Sequence, residues 1–227
     1  QEDSDSRTAL QKAFSVGINH WDTADVYGDG RSEQIIGTMW DEIPRNDIFI
    51  ATKVGWDMGP HNHWYHPEHM RANMERSLKN LKMDCVDLMY LHNSVEGQTH
   101  LPREQFLKNL KDVFEFYEKK RKEGKIRFYG MATWECFRVT QENPLFLQLS
   151  EVMDLAMEVG GTEHGFRFIQ LPFNLMLDQA CLTKNHSVNG KTISLLEAAQ
   201  AFSLGVFTSL PLLQGKLLTA NVIPEFG

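Results

Sequence analysis

The chain has 227 residues, 42% hydrophobic and 23% charged, enough apolar material for one sizeable core, and it reads as a single globular domain over 1–227. A formal net charge of -7 argues against general affinity for nucleic acid or an anionic membrane surface, because counterion release needs clustered Lys and Arg. Cys85, Cys136 and Cys181 are too few and too scattered for a disulfide framework or a zinc site, and read as reduced, mostly buried thiols. No apolar run approaches the roughly 20 residues of a membrane span, and the acidic start Gln1-Glu2-Asp3-Ser4-Asp5 is unlike a signal peptide, so a cytoplasmic protein is expected.

Helical periodicity from Ser6 to Val16 ends at Gly17, a C-cap, and Ile18 to Ala24 follows as a strand with Asp22 near its end. Ser32-Glu33-Gln34-Ile35-Ile36-Gly37 starts the next helix, and Asp47 to Lys53 makes the next strand. After a loop from Val54 to His66, Pro67 suits the first turn of a helix reaching about Leu81. Val86 to His92 is a strand, Pro102 to Lys122 a strongly charged helix closed by Gly124, and Ile126 to Met131 a strand. The remaining elements are a helix from Leu145 to Val159, a strand from Phe168 to Leu171, a helix from Ser194 to Leu204 and a strand from Val206 to Ser209. Alternation of apolar strands with amphipathic helices specifies a parallel sheet covered on both faces. A (β/α)8 TIM barrel needs eight strands and six are visible, so the expected architecture is an incomplete barrel. The sequence begins in a helix and stops soon after a strand, and it is therefore expected to be part of a longer protein. The rival, a doubly wound open sheet, lacks its Gly-x-Gly-x-x-Gly turn.

In a parallel barrel, reactive groups sit where strands end and loops begin. Asp22, Tyr27, Lys53 and His92 occupy such places on three successive strands and the loops leaving them. Singly, the Asp reads as a helix cap and the His as a satisfied core residue. Together they set costly polar groups where the core should close, and buried charges must be paired.

The run Gly17-Ile18-Asn19-His20-Trp21-Asp22-Thr23-Ala24-Asp25-Val26-Tyr27-Gly28, followed by Ser32-Glu33 and Gly37, resembles the first signature of the aldo-keto reductases. Thr52-Lys53, then Arg76-Ser77-Leu78 with Asp87-Leu88 and His92, continue the match, as do Gly124-Lys125-Ile126-Arg127 with Gly130 and Gln170-Leu171-Pro172-Phe173-Asn174. The resemblance is strongest to the branch containing potassium-channel β-subunits and related bacterial reductases.

The resemblance implies an NADPH-dependent oxidoreductase, with NADH left open, that reduces aldehydes or ketones to alcohols on a small carbonyl or alcohol substrate, without metal. It makes Tyr27 the general acid, Lys53 and Asp22 the pair that tunes it, and His92 the group that orients the carbonyl. For the cofactor it implies Thr133 and Gln170 at the carboxamide, and Ser209, Leu210, Leu212 and Gly215 as the loop whose amides approach the pyrophosphate. Ala132-Thr133-Trp134 departs from the Ser-Asn or Ser-Arg of relatives, and the aromatic that many relatives stack under the nicotinamide is not evident after the last strand. Trp56 and Trp64 are expected to line the substrate pocket. His61, His63, His66 and His69 crowd the same region and read as a polar loop rather than a metal site. A sensor or regulatory barrel that binds the cofactor with little turnover is the alternative, and a hydrolase would need paired carboxylates or metal ligands at strand ends. Nothing in the composition selects a nucleic-acid, membrane or protein partner, or an oligomeric state.

Overall fold

The computed structural model describes residues 2–56, 65–93 and 95–218. Six strands, β1 (His20–Asp22), β2 (Phe49–Val54), β3 (Val86–His92), β4 (Ile126–Ala132), β5 (Phe166–Pro172) and β8 (Gly205–Ser209), form one sheet. They pair in parallel in the order β1-β2-β3-β4-β5-β8. Helices α1 (Glu2–Ser15), α2 (Arg31–Gly37), α3 (Pro67–Leu81), α4 (Arg103–Lys122), α5 (Leu149–Gly160) and α7 (Leu195–Ala201) alternate with these strands.

Strand residues alternate between two separate cores, as the two-residue repeat of an extended chain requires. Ile50, Val54, Met89, Leu91, Met131, Ile169 and Leu171 pack outward with the helices in the larger cluster. Ala51, Leu88, Tyr90 and Ala132, with Phe49, Phe128, Phe168 and Phe207, form an inner cluster. β1 and β8 are not hydrogen-bonded neighbours, yet the His20 ring lies 3.9 Å from Phe207 and 5.4 Å from Phe49. The sheet is therefore curled into a half-barrel, an incomplete (β/α)8 architecture with its own filled interior.

Helix ends follow local chemistry. His66 caps α3, Pro67 occupies its first turn, and Lys82 ends it in the left-handed region at φ 51. On α5 the expected start at Leu145 moves to Leu149, because Gln148 and Glu151 form a capping box there. Ser194 and Glu197 make the same device at α7, so Ser194 is its cap. One face of α4 buries Phe106, Leu110, Val113, Phe114 and Tyr117, and the rest carries exposed ion pairs such as Lys108 with Asp112. Each large apolar side chain buried this way contributes about 1.5–3 kcal/mol.

Two strands and a short helix were not expected. α6 (Gln179–Leu182) leads into an antiparallel hairpin of β6 (Lys184–Val188) and β7 (Lys191–Ser194), turned by Asn189 at φ 51 and Gly190 at φ 76. The thiols also need correcting: Cys136 is buried, but Cys85 is partly buried and Cys181 exposed, and all three are free. No helix among the described residues is long and apolar enough to cross a membrane.

Candidate active site

Asp22, Lys53 and His92 stand at or near the C-terminal ends of β1, β2 and β3, side by side on the inner face. The Lys53 ammonium is almost wholly buried, at 2% exposure, and pairs with Asp22 Oδ1. It also donates to the Thr23 carbonyl at 2.8 Å. The other Asp22 oxygen, Oδ2, accepts from Gln170 Nε2 at 2.9 Å, across the mouth of the half-barrel. A buried ammonium keeps its charge only when so compensated.

Tyr27 reaches the same place from the loop after β1. Left-handed Gly28, Asp29 and Gly30 turn that loop back into α2, with Ser32 N donating to the Tyr27 carbonyl at 3.2 Å. The Tyr27 ring centroid lies 5.0 Å from Lys53 Nζ, and the ring meets His92 edge to face at 6.0 Å. Tyr27 is 43% exposed, so a ligand in the mouth has access to it. His92 is buried, and its pKa is pushed down to about 3, first by burial and then by the Lys53 charge. It is therefore a neutral imidazole at pH 7, able to donate or accept a hydrogen bond without adding a second cation beside Lys53.

A cavity of 220 Å³ is lined by Tyr27, Lys53, His92, Thr133, Gln170, Ser209 and Leu210; Asp22 does not line it, and borders a separate cavity of 480 Å³ against α1 and α2. Asn93, Ala132, Trp134 and Gln214 line it as well. Of these, Trp134 carried a signal as an aromatic directly after a strand-end Thr; Gln214 carried none. Trp134 is set in place by its neighbours: Glu96 Oε1 accepts from the amides of Trp134 and Glu135 at 3.0 and 2.7 Å, and Arg138 Nε donates to the Trp134 carbonyl at 2.9 Å. Trp56 packs on the His92 ring at 5.5 Å. Trp64, His61 and His63 lie outside the described residues.

Leu212 is 48% exposed, and neither it nor Gly215 lines the cavity. Leu210, Leu213, Gln214 and Gly215 all have positive φ, so the chain winds into a tight coil in which the Leu212 carbonyl accepts from Gly215 N at 2.9 Å and Gln214 faces the cavity. Among the described residues no group of three His, Cys, Asp or Glu side chains is placed to hold a metal. His66 caps α3, and His69 Nε2 lies 3.1 Å from Asn73 Nδ2. Larger cavities of 520 and 630 Å³ meet around Lys82, Met83 and Asp84; neither contains a strand-end polar group of the site.

The model of the aldo/keto reductase family matches residues 1–223. The chain is similar to the uncharacterized oxidoreductase YqkF of Bacillus subtilis, 34% identical over 136 residues that cover 58% of this chain and 41% of that protein. It is 33% identical over 136 residues to the aldo-keto reductase yakc [NADP(+)] of Schizosaccharomyces pombe, covering 58% and 36%, and 29% identical over 140 residues to a probable voltage-gated potassium channel subunit beta of Arabidopsis thaliana, covering 60% and 40%. Among solved structures it is similar to the thermostable aldo-keto reductase Tm1743 in complex with epalrestat, with a TM-score of 0.69 at 20% identity, covering 99% of this chain and 65% of that one. An aldo-keto reductase from Klebsiella pneumoniae in complex with NADPH gives 0.65 at 24% identity, covering 97% and 62%. The matched stretch thus spans about two fifths of these curated relatives, and the chain less than two thirds of these structures.

Proposed function

The chain belongs to the aldo/keto reductase family, and from that premise we propose that its strand-end site serves the NADPH-dependent reduction of aldehydes or ketones to alcohols. The observation that carries this reading is the Lys53 ammonium, buried against Asp22 and the Thr23 carbonyl with its charge 5.0 Å from the Tyr27 ring.

A phenol with its ordinary pKa near 10 is a weak acid at neutral pH. A fixed cation beside it favours the phenolate and so eases proton donation from the Tyr27 oxygen to a carbonyl oxygen. Asp22 pairs with the buried Lys53 ammonium, where an unpaired charge would be costly. His92, neutral, hydrogen-bonds the same carbonyl oxygen and keeps it within reach of Tyr27.

The residues around the cavity fit a nicotinamide. Gln170 has its Nε2 engaged by Asp22, which leaves its amide oxygen to accept from a carboxamide, and the Thr133 hydroxyl lies alongside, 3.5 Å from the Gln170 carbonyl. The cavity is smaller than the roughly 300–1,000 Å³ that encloses a whole drug-sized ligand, which suits the reacting end of a dinucleotide with a small carbonyl beside it. When bound, a reduced nicotinamide supplies the hydride to the carbonyl carbon. NADPH rather than NADH belongs to the same proposal, supported by the similarity to the aldo-keto reductase yakc [NADP(+)], and a cytoplasmic setting is proposed with it.

The test is a single-turnover measurement: loss of NADPH absorbance after mixing the loaded protein with a simple aldehyde. Tyr27→Phe is expected to lower this rate by roughly 10²–10⁴-fold. An unchanged rate removes Tyr27 from the acid role. NADPH that binds but is not consumed by a range of aldehydes supports a regulatory barrel instead.

A further inference from the structure

The two partners of the Asp22–Lys53 ion pair are unequally held. The Lys53 side chain is 2% exposed, whereas that of Asp22 is 32% exposed. Asp22 ends β1, a three-residue strand at the edge of the sheet that pairs only with β2 among the described residues. A carboxylate so placed is free to turn outward into water, and that turn would leave a buried ammonium unpaired.

Gln170 blocks the turn. Its Nε2 donates to Asp22 Oδ2 at 2.9 Å while Lys53 takes Oδ1, so the carboxylate is held at both oxygens. A carboxylate only accepts, so the nitrogen of the amide has to face it. The backbone behind the amide is fixed: Gln170 pairs with Ala132 on β4 and Phe207 on β8, and its carbonyl accepts from Thr133 N at 2.8 Å. Deeper in the half-barrel the His20 ring meets Phe207 at 3.9 Å, an aromatic contact beneath the polar one. Gln170 is 9% exposed and lines the cavity with Tyr27, Lys53 and His92. Its second Nε2 hydrogen and its amide oxygen can meet a carboxamide, so a nicotinamide needs no break in the bond to Asp22.

We propose that Gln170 is a positioning residue for proton transfer: its bond to Asp22 holds the Asp22–Lys53 pair closed, with the ammonium set against Tyr27. The inference rests on the reading of Tyr27 as proton donor. Without the bond Asp22 turns to solvent and Lys53 is drawn after it, away from the Tyr27 ring that now lies 5.0 Å from the ammonium. The charged and titratable groups around this bond are Lys53 from β2, Tyr90 and His92 from β3, His20 from β1 and Tyr27 from the loop after it.

Two variants test this, one for the bond and one for its role. Gln170→Glu keeps the shape and sets a second carboxylate against Asp22, so in the folded chain the introduced group holds its proton above the ordinary value of about 4.3. A raised value contributes stability that is complete below about pH 4.3 and is lost as pH rises. In urea unfolding without cofactor, the Gln170→Glu midpoint should therefore lie closest to the parent at about pH 4.5 and fall behind it toward about pH 7.5. Adding Asp22→Asn should remove most of that divergence. Parallel midpoints, or a divergence that Asp22→Asn leaves unchanged, overturn the bond. Gln170→Met removes the donor. With NADPH saturating, it should lower the single-turnover rate about tenfold in the parent and less than about twofold in the Asp22→Asn background. Equal falls in both backgrounds overturn the positioning role and leave Gln170 a cofactor ligand alone. If Tyr27→Phe keeps the parent rate, the proton-donor reading fails by itself, and the urea titrations still decide whether Gln170 holds Asp22.

Discussion

The two sides of the cavity are built differently. On β1, β2 and β3 the polar groups are side chains on strands: Lys53 is 2% exposed and held by Asp22 and Thr23, and His92 is packed between Tyr27 and Trp56. On β4, β5 and β8 the lining comes from strand ends and the loops that follow them: Thr133, Trp134, Gln170 and Ser209, with Leu210 and Gln214 from a coil in which four residues have positive φ. A side chain fixed on a strand can set the pKa of its neighbour, whereas a backbone cradle offers hydrogen bonds that many sequences can supply. Chemistry should therefore be lost sharply on the first side and binding lost gradually on the second. Gln170 joins them, since its amide bonds Asp22 across the mouth.

The largest effect is expected from Lys53→Met, which keeps the stem and removes the charge. The kcat/KM for NADPH-dependent aldehyde reduction should fall by about 10³-fold, equivalent to about 4 kcal/mol of transition-state stabilisation. A fall of less than about tenfold would mean that the ammonium does not tune Tyr27. The next effect is on stability. In the folded chain His92 takes up its proton only at about pH 3, against 6.5 when exposed. Below pH 6.5 the unfolded state therefore binds a proton that the folded site refuses, so stability is lost as pH falls from 6.5 toward 3. The loss from this one group amounts to about 3 kcal/mol near pH 4. His20, His164 and His186, whose pKa values are lowered chiefly by burial, act in the same direction in parent and variant alike. Urea unfolding of His92→Asn between about pH 4 and 6.5 should show a shallower dependence, by up to about one proton. Equal slopes would remove burial as the cause of the neutral imidazole.

This contrast also marks what the residues alone disclosed. Strands β2 to β5 and the gathering of Asp22, Lys53 and His92 at strand ends were legible because strand periodicity and residue type are properties of the sequence itself: a Lys or His ending an apolar strand is costly wherever it occurs. β1 is shorter than Ile18 to Ala24 promised, yet Thr23 N still donates to Ala51 O at 2.9 Å and Asp25 N to Lys53 O at 3.1 Å, so pairing continues beyond the strand. The β6 and β7 hairpin was missed although Asn189-Gly190 is a strong hairpin turn, because its strands carry Lys, Asn, His and Ser in place of an apolar alternation. The shape of the coil after β8 was not legible for another reason. Leu210, Leu213 and Gln214 adopt left-handed backbone that residue type does not encode, so the turn that brings Gln214 to the cavity had no local signal.

Thr133→Val probes the gradual side with the smallest change. Thr133 is 5% exposed, and its amide donates to the Gln170 carbonyl at 2.8 Å, a bond that the substitution keeps. Its hydroxyl lies 3.5 Å from the same carbonyl and also meets the buried Cys136 thiol, a weak partner, so the unfolding free energy should change by about 1 kcal/mol or less. If that hydroxyl holds the carboxamide, the Kd for NADPH should rise about fivefold, close to 1 kcal/mol, in a titration of tryptophan fluorescence. The single-turnover rate at saturating NADPH should stay near that of the parent, because among the described residues Thr133 bonds the Gln170 carbonyl and not Lys53, Tyr27 or His92. A rate that falls with Kd intact would place Thr133 in the chemistry and erase the division between the two sides. An unchanged Kd and rate would leave the carboxamide to Gln170 and the strand-end backbone, and so strengthen the view that this side binds through groups any sequence can provide.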